Sequence, residues 1–333
     1  STVNTPFTRI SYTEAIARYG LDAPDIRFGM EHVDISDLMR KVNFKVFREP
    51  AEDGGLVKVM RVVDGASKMT RKQIDDLTAF VAVYGAKGLA WIKVNDVTDT
   101  PNGLQSPIVK FLPDDILRQL LVRCGAQSGD LLFFGAGDKR VVNDALGHLR
   151  VKLGHDLGLI DDDDNRFVWV VDFPMFEWSA EEKRLQALHH PFTAPASEDL
   201  DKLESAPLDL LSQAYDLVWN GTEIGGGSIR IHDPKVQQRV FTALGISEEE
   251  ADAKFGFLVN ALKYGAPPHG GLAFGLDRVV ALMSGAESIR DVIAFPKTQR
   301  AADLMCDSPS SVADRQWREL GLRKRRNLTS SDQ

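Results

Sequence analysis

The chain has 333 residues, 43% of them hydrophobic and 26% charged, with a formal net charge of −8 and only two cysteines. That length points to two domains; no apolar run reaches the ~20 residues of a membrane-spanning helix, and no basic-then-apolar start reads as a secretory signal. Cys124 and Cys306 fall outside any paired spacing, so a disulfide framework and a thiolate zinc site are disfavoured and a reducing cytoplasm is the expected compartment. An acidic chain can bind RNA only through a local basic surface. The one dense basic stretch, Arg315, Arg318, Arg323, Lys324, Arg325 and Arg326, reads equally well as a solvated tail.

Along the chain, residues 8–20 carry a helix signature, with Ser11 or Thr13 as cap and Gly20 as stop. After Asp22-Ala-Pro-Asp25 the texture becomes short strands and helices to about residue 160. Residues 88–94 alternate like a strand, and Asp130-Leu-Leu-Phe-Phe134 leads through Gly-Ala-Gly-Asp138 into an amphipathic helix ending near His155. Asp161–Asp164 repel one another and must stay hydrated, which places a border there; residues 25–30 read as the other hydrated border. Beyond it, Phe167-Val-Trp-Val-Val-Asp-Phe173 has the continuous apolar character of a buried central strand. An acidic helix start at Ser247-Glu-Glu-Glu250 and a glycine-punctuated strand-helix unit at 270–284 follow.

Three clusters carry chemistry. Asn220-Gly221 between apolar-alternating runs predicts a two-residue hairpin, because both turn positions need φ > 0. The implied register pairs 219 with 222 and 216 with 225, which makes Asp216 and Glu223 diagonal neighbours about 7–8 Å apart on one face. Both carboxylates then reach a common Mg²⁺; the bland alternative is two unrelated polar residues on a solvated face. Arg230 lies an odd number of residues from Glu223, and a bulge in Gly225-Gly226-Gly227 would bring it to the same side. Adjacent His189 and His190 would point to opposite faces of a regular strand, so one histidine serving as a carboxylate or hydroxyl partner is the better reading than a zinc pair. In Gly271-Leu-Ala-Phe-Gly-Leu-Asp-Arg278, the small residues Gly271, Ala273 and Gly275 alternate, so a flat group can lie on that backbone. Arg278 opens an apolar helix suited to anions. A tightly packed strand-helix junction with a solvated arginine would give the same pattern. Neither a Walker A motif nor a dinucleotide GxGxxG precedes a helix.

Gly271 to Arg278 resembles motif 3 of class II aminoacyl-tRNA synthetases. Together with Glu223-Ile-Gly-Gly-Gly-Ser-Ile-Arg230, His189-His-Pro-Phe-Thr193 and Arg290-Asp-Val-Ile-Ala-Phe-Pro-Lys-Thr298, it resembles the bacterial aspartyl enzymes over essentially the whole chain. The resemblance implies an α+β fold: the second half of the antiparallel-sheet catalytic core, with an inserted α+β domain of the kind shared with the amidotransferase B subunit. The implied segments are 1–29 as core, 30–160 as insert, and 161–333 as core with motif 3 and a C-terminal extension. It implies that Arg230 pairs with the side-chain carboxylate of L-aspartate beside His189, with Arg230 and Glu223 as catalytic residues. Asp216 and Glu223 would hold Mg²⁺ against ATP, and Gly275, Leu276, Asp277 and Arg278 would bind ATP. The implied reaction makes aspartyl-adenylate and passes the acyl group to tRNA(Asp), with tRNA(Asn) as a second candidate, in a complete protein that is a homodimer. Motif 1, the motif 2 arginine and the anticodon-binding barrel have no counterpart in these residues, so the chain alone is expected to be inactive. A non-catalytic paralogue and a tRNA-binding module are the competing classes.

Overall fold

The computed structural model describes Val3 and residues 5–323; Lys324, Arg325 and Arg326 of the basic stretch lie outside the described residues. Two compact units result, one ending at Phe274 and the other beginning at Gly275.

The chain opens with strand β1 (Thr8–Ser11) and helix α1 (Tyr12–Tyr19). Ser11 caps the helix by accepting from Glu14 N at 3.1 Å, and Gly20 ends it in the left-handed region at φ 78°. The cap and stop are those expected from sequence, but Thr8–Ser11 is strand rather than helix, because it pairs in parallel with β7 (below).

A second sheet occupies residues 32–137. It is built from β2 (His32–Asp34), β3 (Leu56–Val62), β4 (Ala90–Val94), β5 (Leu104–Gln105) and β6 (Leu131–Gly137), in the order β2-β3-β6-β4-β5. All its pairings are antiparallel. Helices cover both faces: α2 (Ser36–Met39), α3 (Lys45–Glu52), α4 (Gly65–Lys68), α5 (Arg71–Ala82), α6 (Asp114–Arg123) and α7 (Lys139–Asp156). Leu38, Phe47, Leu117 and Leu120 pack with Leu132 and Phe134, while Ile74, Leu77, Leu146 and Leu149 pack with Leu131 and Phe133. This explains the unbroken Leu-Leu-Phe-Phe of β6, since each such side chain contributes about 1.5–3 kcal/mol on full burial.

After α7 come β7 (Phe167–Val171), the hairpin β8 (Phe176–Ser179) and β9 (Arg184–Ala187), the short α8 (Lys202–Ser205), and the strands β10 (Ala214–Trp219) and β11 (Thr222–Ile229). Helices α9 (Pro234–Ala243) and α10 (Glu248–Lys263) precede β12 (Gly270–Phe274). The expected acidic start of α10 is capped by Ser247, which accepts from Glu250 N at 3.2 Å. The first sheet runs β1-β7-β10-β11-β12, so β7 lies inside it as its apolar run requires. The second unit holds α11 (Leu276–Ser284) and α12 (Asp314–Glu319). The architecture is α+β, dominated by antiparallel pairing.

Residues 25–30 are not a hydrated linker. Asp25 is buried and ion-paired with Arg27 at 2.8 Å, and the Phe28 ring packs on α7, close enough that a Cβ at Gly154 would stand 2.7 Å from it. Neutralising the charges against each other is what allows so polar a stretch to pack. Asp161, Asp162 and Asp163 are exposed, as the repulsion argument requires.

Candidate active site

The β10–β11 turn has Asn220 at φ 50° and Gly221 at φ 82°, and Trp219 pairs with Thr222, as the sequence predicts. Beyond that the register slips: Val218 pairs with Glu223 but Leu217 with Gly225, leaving Ile224 as an extra residue. Asp216 therefore faces Gly226 rather than Gly225. The bulge expected within the triglycine falls one residue before it. Its effect on parity is the one the argument needs, because a single extra residue puts Arg230 on the face of Glu223 and Asp216.

On that face the two carboxylates converge. A Cβ on Gly226 would collide with Asp216 Oδ1 and stand 3.3 Å from Glu223 Oε1. Burial, Glu223 and then Asp22 push the Asp216 carboxyl up to about 7. Asp22, which sequence reasoning did not single out, thus belongs to the electrostatics of the site; only the fold, by laying the segment after α1 against this sheet, brings it in. Two carboxylates in a glycine-lined space suit a hard cation that completes its shell with substrate oxygens. Among the described residues, no group of three or more His, Cys, Asp or Glu forms a metal site by itself. The residues present fit a cation shared with a ligand.

Arg230 touches the imidazole of His190, not of His189. Phe192 N donates to His190 Nδ1 at 3.1 Å, fixing the ring. Burial, then Arg230 and His189, hold His190 down to about 4, so it is neutral. His189 sits edge-on to Phe173 with centroids 4.8 Å apart, and burial holds it below the ordinary histidine range, with Glu223 and Asp22 pulling the other way. Residues 189 and 190 lie outside any strand, so strand alternation does not choose between them.

Strand β12 lines the same face with small groups: Ala273 pairs with Gly226, and Gly271 with Ser228. In the second unit, Gly275 caps α11, and a Cβ there would be 3.3 Å from Arg278 Cδ, so the Arg278 side chain folds back over the glycine. Leu276, Asp277 and Arg278 are exposed in the first turn of that helix.

The profile of the family described as tRNA synthetases class II (D, K and N) matches residues 1–299. The aspartate--tRNA(Asp/Asn) ligase of Desulfatibacillum aliphaticivorans is 55% identical over 328 residues, 98% of this chain and 54% of the relative. The chain thus spans about half the length of the curated relative it matches. Among solved structures, a putative aspartyl-tRNA synthetase from Leishmania major Friedlin matches at 27% identity and TM-score 0.29, over 43% of this chain and 22% of that one. An asparaginyl-tRNA synthetase from Pyrococcus horikoshii matches at 13% identity and TM-score 0.31, over 74% of this chain and 49% of that one. On the family profile and the 55% identity, the chain belongs to the class II tRNA synthetases of the aspartate, lysine and asparagine group.

Proposed function

We propose that the complete protein is an aspartate–tRNA ligase, which activates L-aspartate with ATP and transfers it to tRNA(Asp). The relative named for both tRNA(Asp) and tRNA(Asn) supports tRNA(Asn) as a second acceptor. The observation that carries this reading is the bulge at Ile224, because it gathers a guanidinium and two carboxylates onto one face. Arg230 binds the substrate's side-chain carboxylate, and His190 Nε2 lies against the same guanidinium, ready to share that carboxylate. His189 stays part of the proposal as a neighbour in recognition, its ring fixed by Phe173.

Asp216 and Glu223 would hold Mg²⁺, which supplies charge neutralisation for the phosphates of ATP. The small residues Gly271 and Ala273, with open space over Gly271, give a planar base room to lie on backbone. Gly275, Leu276, Asp277 and Arg278 are proposed to bind ATP, with Arg278 serving the adenine and the terminal phosphate. Catalysis is then mainly positioning: the aspartate α-carboxylate is set against the α-phosphate, and developing charge meets preorganised groups.

The proposal keeps residues 1–29 and 161–333 as catalytic core and 30–160 as an insert, supported by the second sheet lying wholly within 32–137. It also includes a homodimeric, cytoplasmic complete protein; among the described residues no helix is long and apolar enough to cross a membrane. These 333 residues, about half the length of the curated relative, are proposed not to activate aspartate by themselves.

The test is aspartate-dependent pyrophosphate exchange by the complete protein. Arg230→Leu should lower aspartate activation at least roughly 10- to 150-fold and leave ATP binding intact, since a lost charge-assisted pair costs about 1.5–3 kcal/mol or more. Unchanged preference for aspartate over asparagine would refute the assignment.

A further inference from the structure

Two buried cations of the second sheet and its helices reach the segment that walls the carboxylate site. Lys58, on β3, is 3% exposed, and its ammonium donates to Ile16 O and Ala17 O at 2.8 Å each and to Asn143 Oδ1 at 2.7 Å. The two carbonyls belong to the last turn of α1, where the helix gathers partial negative charge. Arg150, on α7, is 1% exposed; it donates to Gly29 O at 2.9 Å and Phe28 O at 2.5 Å. Its guanidinium also lies 4.0 Å from the Phe28 ring centroid and 4.8 Å from that of Tyr19. All five acceptors are amide oxygens, an expensive way to bury two cations unless the contacts hold something in place.

What they hold lies flush on α7. A Cβ at Gly147 would stand 2.7 Å from Leu21 Cγ, just as one at Gly154 would meet Phe28. Downstream, Ala23 and Ile26 pack with Val168, Val170, Ala214 and Val218, the apolar neighbours of Asp216 on its own sheet face. Asp25 Cβ would be 3.1 Å from a Cβ on Gly221, so the segment also buttresses the hairpin turn.

We propose that Lys58 and Arg150 are positioning residues for the carboxylate site: they pin α1 and residues 20–29, so that Ala23 and Ile26 under the sheet and Asp25 against the Asn220-Gly221 turn keep Asp216 and Glu223 convergent for a divalent cation. The cation and its ATP rest on the functional reading above; the anchoring rests on the contacts just given. The insert is thereby a scaffold for the active-site wall rather than an independent appendage.

The experiment uses the complete protein with Lys58→Met, Arg150→Met and the conservative Arg150→Lys. Leu120→Ala serves as a control, since it loosens the opposite face of the same sheet. Two quantities are read: amide hydrogen exchange over residues 214–229, and the Mg²⁺ concentration giving half-maximal aspartate-dependent pyrophosphate exchange. The Met variants should speed hairpin exchange about tenfold and raise the Mg²⁺ midpoint roughly 5–10-fold, with the aspartate KM changed less than about twofold. Arg150→Lys should recover part of both, and Leu120→Ala should leave both near wild type. Unchanged values in the Met variants, or equal shifts in Leu120→Ala, would overturn the proposal. If the Met variants do not fold, Arg150→Lys against Leu120→Ala decides by the same readings. A wild-type protein without aspartate-dependent exchange would overturn the functional reading instead, and hydrogen exchange would still decide the anchoring.

Discussion

Gly226 stands opposite Asp216 across the β10–β11 ladder, and the volume its absent side chain would fill is taken by the Asp216 carboxylate. Even a methyl group at 226 must therefore displace the Asp216 carboxylate from its place beside Glu223. We expect Gly226→Ala to cost about 1–3 kcal/mol of stability by overpacking. Displacing the carboxylate by about 1 Å should lower the pyrophosphate-exchange rate roughly 10²-fold. A variant with full exchange activity would show that the two carboxylates need not converge.

His190 and Arg230 present a conflict of donors. With Nδ1 accepting from Phe192 N, the compatible neutral tautomer is the one protonated on Nε2, and that nitrogen is the nearer of the two to the Arg230 guanidinium. Two donors facing each other want an acceptor between them, and a substrate carboxylate is one. His190→Ala should raise the aspartate KM by about 1.5–3 kcal/mol, roughly 10- to 150-fold, with the KM for ATP unchanged. His190→Gln, whose amide nitrogen can replace Nε2–H, should restore much of the loss. Equal KM values for the Ala variant and wild type would remove His190 from recognition.

Asp216 should make cation binding depend on pH. Its carboxyl is held at about 7, so below that a divalent cation must displace a proton. Apparent Mg²⁺ affinity should rise with pH, by at most about tenfold per unit below 7, and level off above it. Without the ion, the raised value means that this group's contribution to stability falls as pH rises from the ordinary carboxylate range through 7. Thermal unfolding with and without Mg²⁺ at pH 6 and pH 8 checks both signs: the ion should stabilise more at pH 8. Asp216→Asn should flatten the dependence.

His32 should mark the acid limit of the junction between the sheets. The ring is 6% exposed, and burial followed by Lys58 and Arg150 pushes it down to about 3, against a hydrogen bond with the Leu146 backbone that pulls the other way. A depressed folded value means that its share of stability is complete above the unfolded value and is lost as pH falls from 6.5 towards 3. Denaturant titrations of wild type and His32→Leu should differ in slope by up to about 1.4 kcal/mol per pH unit in that window. Parallel curves would contradict the burial argument.

The elements that sequence revealed are those with local causes. Asn220-Gly221 specifies a hairpin because few other pairs accept positive φ twice, and Ser11 and Gly20 bracket α1 for equally local reasons. Parity alone showed that a bulge in the triglycine would bring Arg230 to the face of Glu223. It could not say that the bulge sits at Ile224, since that depends on the neighbouring strands. Thr8–Ser11 is strand because β7 lies beside it, a partner more than 150 residues away. That Arg230 touches His190, that Asp22 bears on Asp216 and that Asp25 and Arg27 pack as a pair all depended on which loops meet.

Arg27 also joins the two ends of the excursion that holds the second sheet, since its Nη1 donates to Asp161 O at 3.4 Å. The chain leaves the first sheet and returns to it at nearly the same point, like a loop gathered by a drawstring. The parallel β1–β7 pair needs a crossover of about a dozen residues, and α1 with its flanks already supplies one. A short glycine-serine bridge from near residue 28 to near residue 161 would therefore leave the path of the remaining strands unbroken. Topologically the excursion is removable, so whatever such an excised protein loses measures the support it gave, not a severed connection.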